Sequence, residues 1–104
     1  MAIVTSRRIP QIITRKATAV SYVSQGEGLI AVTNTAAPRT ITLSDADKID
    51  CKEIDIKDES GGAGTNNITI SPQSGTIDGA ASVVISANYG VARVYSNGTN
   101  WFTR

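Results

Sequence analysis

The chain has 104 residues, a formal net charge of +1 and a hydrophobic content of 40%. This fits one domain, and so weak a field argues against nucleic acid as a partner. With no histidine and a single cysteine, the chain cannot build an intramolecular disulfide, a Ser-His-Asp or Cys-His nucleophile, or the usual histidine and thiolate zinc cages.

Thirteen Ile and eight Val stand against two Leu, with twelve Thr beside them. β-Branched side chains lose rotamer freedom in helices and fit a pleated surface, so the composition predicts strands. Residues 1–10 read as an extended N-terminal arm, irregular, basic at Arg7 and Arg8, and ending in Pro10, which suits no central strand. In Met1–Arg8 the basic pair follows the apolar stretch, the reverse of a signal peptide, so the protein is expected to be made in the cytoplasm without export. Every apolar run is far shorter than the roughly 18 residues of a membrane span, and no membrane partner is expected. Residues 11–104 read as a single β domain. Ile12–Val23 alternates as a strand, Gln25-Gly26-Glu27-Gly28 is a turn, and Leu29–Thr33 is a second strand. Asn34–Pro38 is a loop and Arg39–Leu43 a third strand. Ser44 is placed to cap one helical turn over the acidic residues that follow it.

Lys52–Asp58 alternates charged and apolar residues, putting Ile54 and Ile56 on one face and Glu53, Asp55 and Lys57 on the other. Glu59–Thr65 is a glycine-rich loop, and Ile68–Ser71 is a strand with Ile68 and Ile70 on one face. Thr76–Gly79 is a short extended piece, Ser82–Ser86 and Val91–Ser96 are strands, and Asn97-Gly98 signals a type I′ hairpin into Asn100–Thr103. Short strands broken by turn chemistry predict an all-β fold, a small antiparallel β-sandwich or barrel-like meander. Strands packed about a threefold axis satisfy the same pattern.

No catalytic, cofactor or metal site is expected. Cys51 has no histidine to activate it and reads as a small buried or half-buried apolar residue. The clusters Asp45, Asp47, Asp50 and Asp55, Asp58, Glu59 read as solvated surface carboxylates, whereas sugar hydrolysis needs one of a facing pair raised in pKa. Asp45-x-Asp47 begins like a calcium loop, but Asp50 stands where that loop needs glycine. The glycines at 26, 28, 61, 62 and 64 read as turn residues, since no helix-forming run or phosphate-loop lysine follows them. Trp101 and Phe102 are neighbours on a strand and face opposite ways, so one core anchor and one edge or interface aromatic are expected. The alternative is a sugar-stacking platform that includes Tyr95.

From Arg39 onward, Thr40-Ile41-Thr42-Leu43, Ile54-Asp55-Ile56-Lys57-Asp58-Glu59-Ser60-Gly61, Ala63-Gly64-Thr65-Asn66-Asn67-Ile68-Thr69-Ile70, Thr76-Ile77-Asp78-Gly79, Tyr89-Gly90 and Ser96-Asn97-Gly98-Thr99-Asn100-Trp101-Phe102 form an ordered set. This set resembles a module recurrent in bacteriophage tail fibres, head fibres and related virion proteins. The resemblance implies a β-rich homotrimer with a structural or attachment role in the virion. The chain is short for a full tail fibre, which favours a capsid decoration, cement or head-fibre protein. The implied partners are copies of the chain itself and the major capsid protein or another virion protein, with a bacterial surface glycan as the alternative. Arg7, Arg8 and Ile9 of the arm, with Tyr95 and Trp101, are the candidate partner-binding residues. A trimer would also enlarge an aromatic-poor core, at about 25 cal/mol per Å² of apolar area buried.

Overall fold

The computed structural model describes residues 13–16 and 20–104. The strands among these residues are β1 (Ile13–Lys16), β2 (Ser21–Val23), β3 (Leu29–Val32), β4 (Arg39–Leu43), β5 (Glu53–Asp58), β6 (Ile68–Pro72), β7 (Val83–Ile85), β8 (Val91–Ser96) and β9 (Trp101–Thr103). Between β4 and β5 lies a single 3₁₀ turn, Asp45–Asp47. Ser44 caps it as expected, its Oγ accepting from the Asp47 amide at 3.2 Å.

The strands form two sheets, ordered β1-β3-β5-β8-β9 and β2-β4-β6-β7. From β1 to β6 each successive strand belongs to the other sheet. Strands two apart in sequence therefore pair, and they pair in parallel: β1 with β3, β3 with β5, β2 with β4, and β4 with β6. A crossover rather than a hairpin joins such strands, and here each crossover carries a strand of the opposite layer. The chain winds like a flattened coil, adding one strand to each sheet per turn. The antiparallel pairs β6–β7, β5–β8 and β8–β9 finish the far end.

The expected all-β sandwich is present, but its strand direction is mixed, not antiparallel. The reason lies in the turns. Gly26, at φ 91°, leads the chain out of β2 into the opposite sheet instead of back along its own. The stretch expected as one strand from Ile12 to Val23 is likewise divided, Ile13–Lys16 in the first sheet and Ser21–Val23 in the second. The β8–β9 hairpin forms where expected, but not as a type I′ turn. Ser96 pairs with Trp101, leaving Asn97–Asn100 as the loop, and of its residues only Gly98 has positive φ. The Asn97 carboxamide replaces the tighter turn, accepting from the amides of Thr99 and Asn100, both at 2.9 Å.

Period-two alternation sets the core. Ile54 and Ile56 of β5 point inward beside Ile30 and Val94, and Ile41 of β4 packs beside Ile70 of β6. All belong to one buried cluster drawn from both sheets. Removing each such side chain from water contributes about 1.5–3 kcal/mol. Trp101 of β9 closes the cluster at 0% exposure. Its neighbour Phe102 is only partly buried and faces the other way, against Tyr95, as strand alternation requires.

Candidate functional site

Three carboxylates lie inside the protein, and they were not expected there. Asp58 ends β5 on its inward face with no exposed surface. Its Oδ1 accepts from the Ser60 amide at 3.0 Å, the Ser60 hydroxyl at 2.7 Å and the Gly61 amide at 2.9 Å. Its Oδ2 accepts from the amides of Ala63 and Tyr89, both at 3.0 Å. Burial pushes this carboxyl up, but the donors of Ser60, Ala63, Gly61 and Tyr89 outweigh it and hold the group below the usual carboxylate range. One side chain thus ties the glycine-rich loop to the turn that precedes β8.

Glu27 and Asp47 form the second buried group. The Tyr22 hydroxyl donates to Glu27 Oε2, and the Gln25 amide donates to Oε1 at 2.6 Å. The Gly26 amide donates to Asp47 Oδ2 at 3.0 Å, while the Lys52 ammonium donates to the Gly26 carbonyl at 2.9 Å. Ser24 and Ser44 join their hydroxyls at 3.1 Å beside them. Burial raises both carboxyls. Hydrogen bonds from Tyr22 and Gln25 to Glu27, and from Ser24, Gly26 and Ser44 to Asp47, reverse the sign and leave both lowered. Tyr22 is raised, by burial first and by Glu27 second. Asp47 and Asp58 therefore correct the expectation of solvated carboxylates. Asp58 is held chiefly by the loop that follows it and by the Tyr89 amide, and Asp47 by the Gly26 amide and nearby serine hydroxyls, contacts that strand alternation does not encode.

A general acid needs a carboxyl held protonated near neutrality. Glu27, Asp47 and Asp58 are all held the other way. Their hydrogen bonds lock the 25–27 turn and the 60–63 loop. Among the described residues no group of three or more His, Cys, Asp or Glu side chains is placed to hold a metal. Cys51 is exposed and in the left-handed region at φ 69°, not buried as expected, because its amide donates to the Ser96 carbonyl at 2.9 Å and turns the side chain out.

Of the candidate partner-binding residues, Arg7, Arg8 and Ile9 lie outside the described residues, as does the 1–10 arm. Trp101 lies in the core with no exposed surface. Tyr95 is 36% exposed on the outer face of the first sheet, its ring centroid 5.6 Å from that of Phe102. Around it runs a charged network. Arg104 reaches Glu53 at 3.4 Å and Asp55 at 3.6 Å, and Arg93 reaches Asp55 at 3.8 Å.

The outer face of the second sheet is chemically opposite. Register places Ser21, Thr40, Thr69 and Val84 in one row across the four strands, and Val23, Thr42 and Ser71 in the next. None carries a charge. The one charged residue in those strands, Arg39, is buried, its Nε donating to the Asn34 carbonyl at 2.7 Å. Val23 is 47% exposed, Val84 48%, and Val20, just before β2, 62%. No protein-family model matches this chain, and no curated protein matches it in sequence.

Proposed function

We propose that this chain is a non-enzymatic structural module of a bacteriophage virion, a homotrimer serving as a capsid decoration, cement or head-fibre protein. The observation that carries the reading is the coiled winding of the sandwich. Each turn from β1 to β6 adds a strand to both sheets, and Ile and Val fill the space between them. Such a body is a rigid spacer whose geometry is set by backbone ladders and not by a cleft. The buried carboxylates support the same reading, because they hold loops and stay ionised. The ordered set of segments from Arg39 to Phe102 supplies the virion context.

Incubating purified protein with undecorated particles and imaging them by electron microscopy tests the proposal. Density on the capsid at regular positions is the expected result, with occupancy lowered when Met1–Arg8 is deleted. Undiminished occupancy would remove the arm and Arg7-Arg8 from the capsid contact, and no particle binding at all would remove the decoration role. One observation favours a second reading, a tail-fibre or tail-spike module that binds a bacterial surface glycan. The Tyr95–Phe102 pair sits among Arg93, Arg104, Glu53 and Asp55 on an open sheet face, where rings can stack on a sugar and charges can flank it. Glycan-array hits that vanish in Tyr95→Ala would move the assignment to that role.

A further inference from the structure

We infer that the Asp78-Gly79 turn is a strap that seals the free edge of β9 and keeps strands of other chains from adding to it. β9 ends the first sheet, and an open sheet edge presents N–H and C=O groups on which another strand can build. On the side away from β8, β9 offers the backbone groups of Trp101 and Thr103. The Trp101 amide donates to the Thr76 carbonyl at 2.9 Å, and the Trp101 carbonyl accepts from the Asp78 amide at 3.0 Å. The backbone match stops there, because the chain turns back and Ile77 pairs with Ala80. The Asp78 side chain then takes over. Its Oδ1 accepts from the Thr103 amide at 3.0 Å, and its Oδ2 accepts from the Thr103 hydroxyl. Both outward amides of β9 are thus occupied. Ile77, fully buried in the core cluster, anchors the strap beside the edge. Asp78 and Gly79 have φ of 52° and 78°, the two positive values a type I′ turn needs. Glycine would take up the left-handed backbone at position 78 without strain. What aspartate adds at this exposed tip is the carboxylate, which the Thr103 hydroxyl and amide hold below the usual carboxylate range. A charge at a sheet edge also opposes the approach of another strand.

Amide hydrogen exchange and sedimentation followed over time test the strap on the full chain, comparing wild type with Asp78→Gly and Asp78→Asn. Glycine keeps the left-handed turn and removes the carboxylate. Asparagine tolerates the same backbone and keeps an oxygen for the Thr103 amide. The wild-type Thr103 amide is expected to be protected. In Asp78→Gly it should exchange at least about tenfold faster, and the variant should grow with time into open-ended assemblies. Asp78→Asn should stay close to wild type in both measurements. Growth separates strand addition from the closed trimer proposed above, which has one size, so the strap stands or falls apart from that proposal. Circular dichroism checks that each variant is folded, and if Asp78→Gly is not, Asp78→Ala carries the comparison. Fast Thr103 exchange in the wild type, or wild-type protection in folded Asp78→Gly, would overturn the seal, as would an Asp78→Asn that behaves like Asp78→Gly. A folded Asp78→Gly that frees the Thr103 amide yet assembles no further than wild type would overturn the protective role.

Discussion

Asp58 shows at a single residue how this chain uses charge inside an aromatic-poor core. Its two oxygens take five donors from Ser60, Gly61, Ala63 and Tyr89. Asp58→Asn would turn an amide NH₂ toward the Ala63 and Tyr89 N–H groups, or toward those of Ser60 and Gly61, leaving buried donors facing each other. The expected loss is about 3 kcal/mol of stability, read from denaturant unfolding at neutral pH. The same residue sets a pH dependence. Its folded pKa lies below the ordinary carboxylate value, so the unfolded chain binds its proton first as pH falls. Stability from this group is complete above about pH 5, begins to fall near the unfolded value of about 4, and is lost as pH passes below the folded pKa. Glu27 and Asp47 act in the same direction. Unfolding free energy measured between pH 7 and 2 should therefore decline steeply below about pH 4, and less steeply in Asp58→Asn. A flat profile would contradict these assignments.

In the strands, neighbouring residues carry opposite duties. Ile70 on β6 is fully buried, while Thr69 beside it faces outward. Ile70→Ala should cost about 2–5 kcal/mol, the range for deleting a buried branched side chain, whereas Thr69→Ala should stay within about 0.5 kcal/mol in the isolated chain. Chemical denaturation of both variants checks the contrast. This alternation is why strand positions were legible in the sequence. Arg39–Leu43 and Val91–Ser96 appear at the expected bounds, and the Ile54/Ile56 face is the buried one. Strand partners were not legible, because pairing direction depends on where the intervening chain travels. Leu29 aligns with Asp55 and Arg39 with Ile68, registers that no local pattern encodes. Asp47 escaped notice for a related cause: the Gly26 amide and Asp47 Oδ2 are joined across 21 positions. Placing Trp101 inside required knowing that β9 lies at the sheet edge with its odd face turned to the core.

At the scale of the molecule, the two outer faces divide the work. One holds exposed ion pairs, each of which contributes little stability in water but keeps that face solvated. The other holds hydroxyls and half-exposed valines, a surface that gains from being covered. Whole-chain composition, with its near-balanced charge, does not reveal this division. Register then gathered Val84, Thr69, Thr40 and Ser21 into one row. The role proposed above is scaffolding built from several copies of the chain. Native mass measurement of the wild-type protein tests it most directly. The expected species has three times 10.9 kDa and persists on dilution to micromolar concentration. A folded species of 10.9 kDa at all concentrations would contradict it.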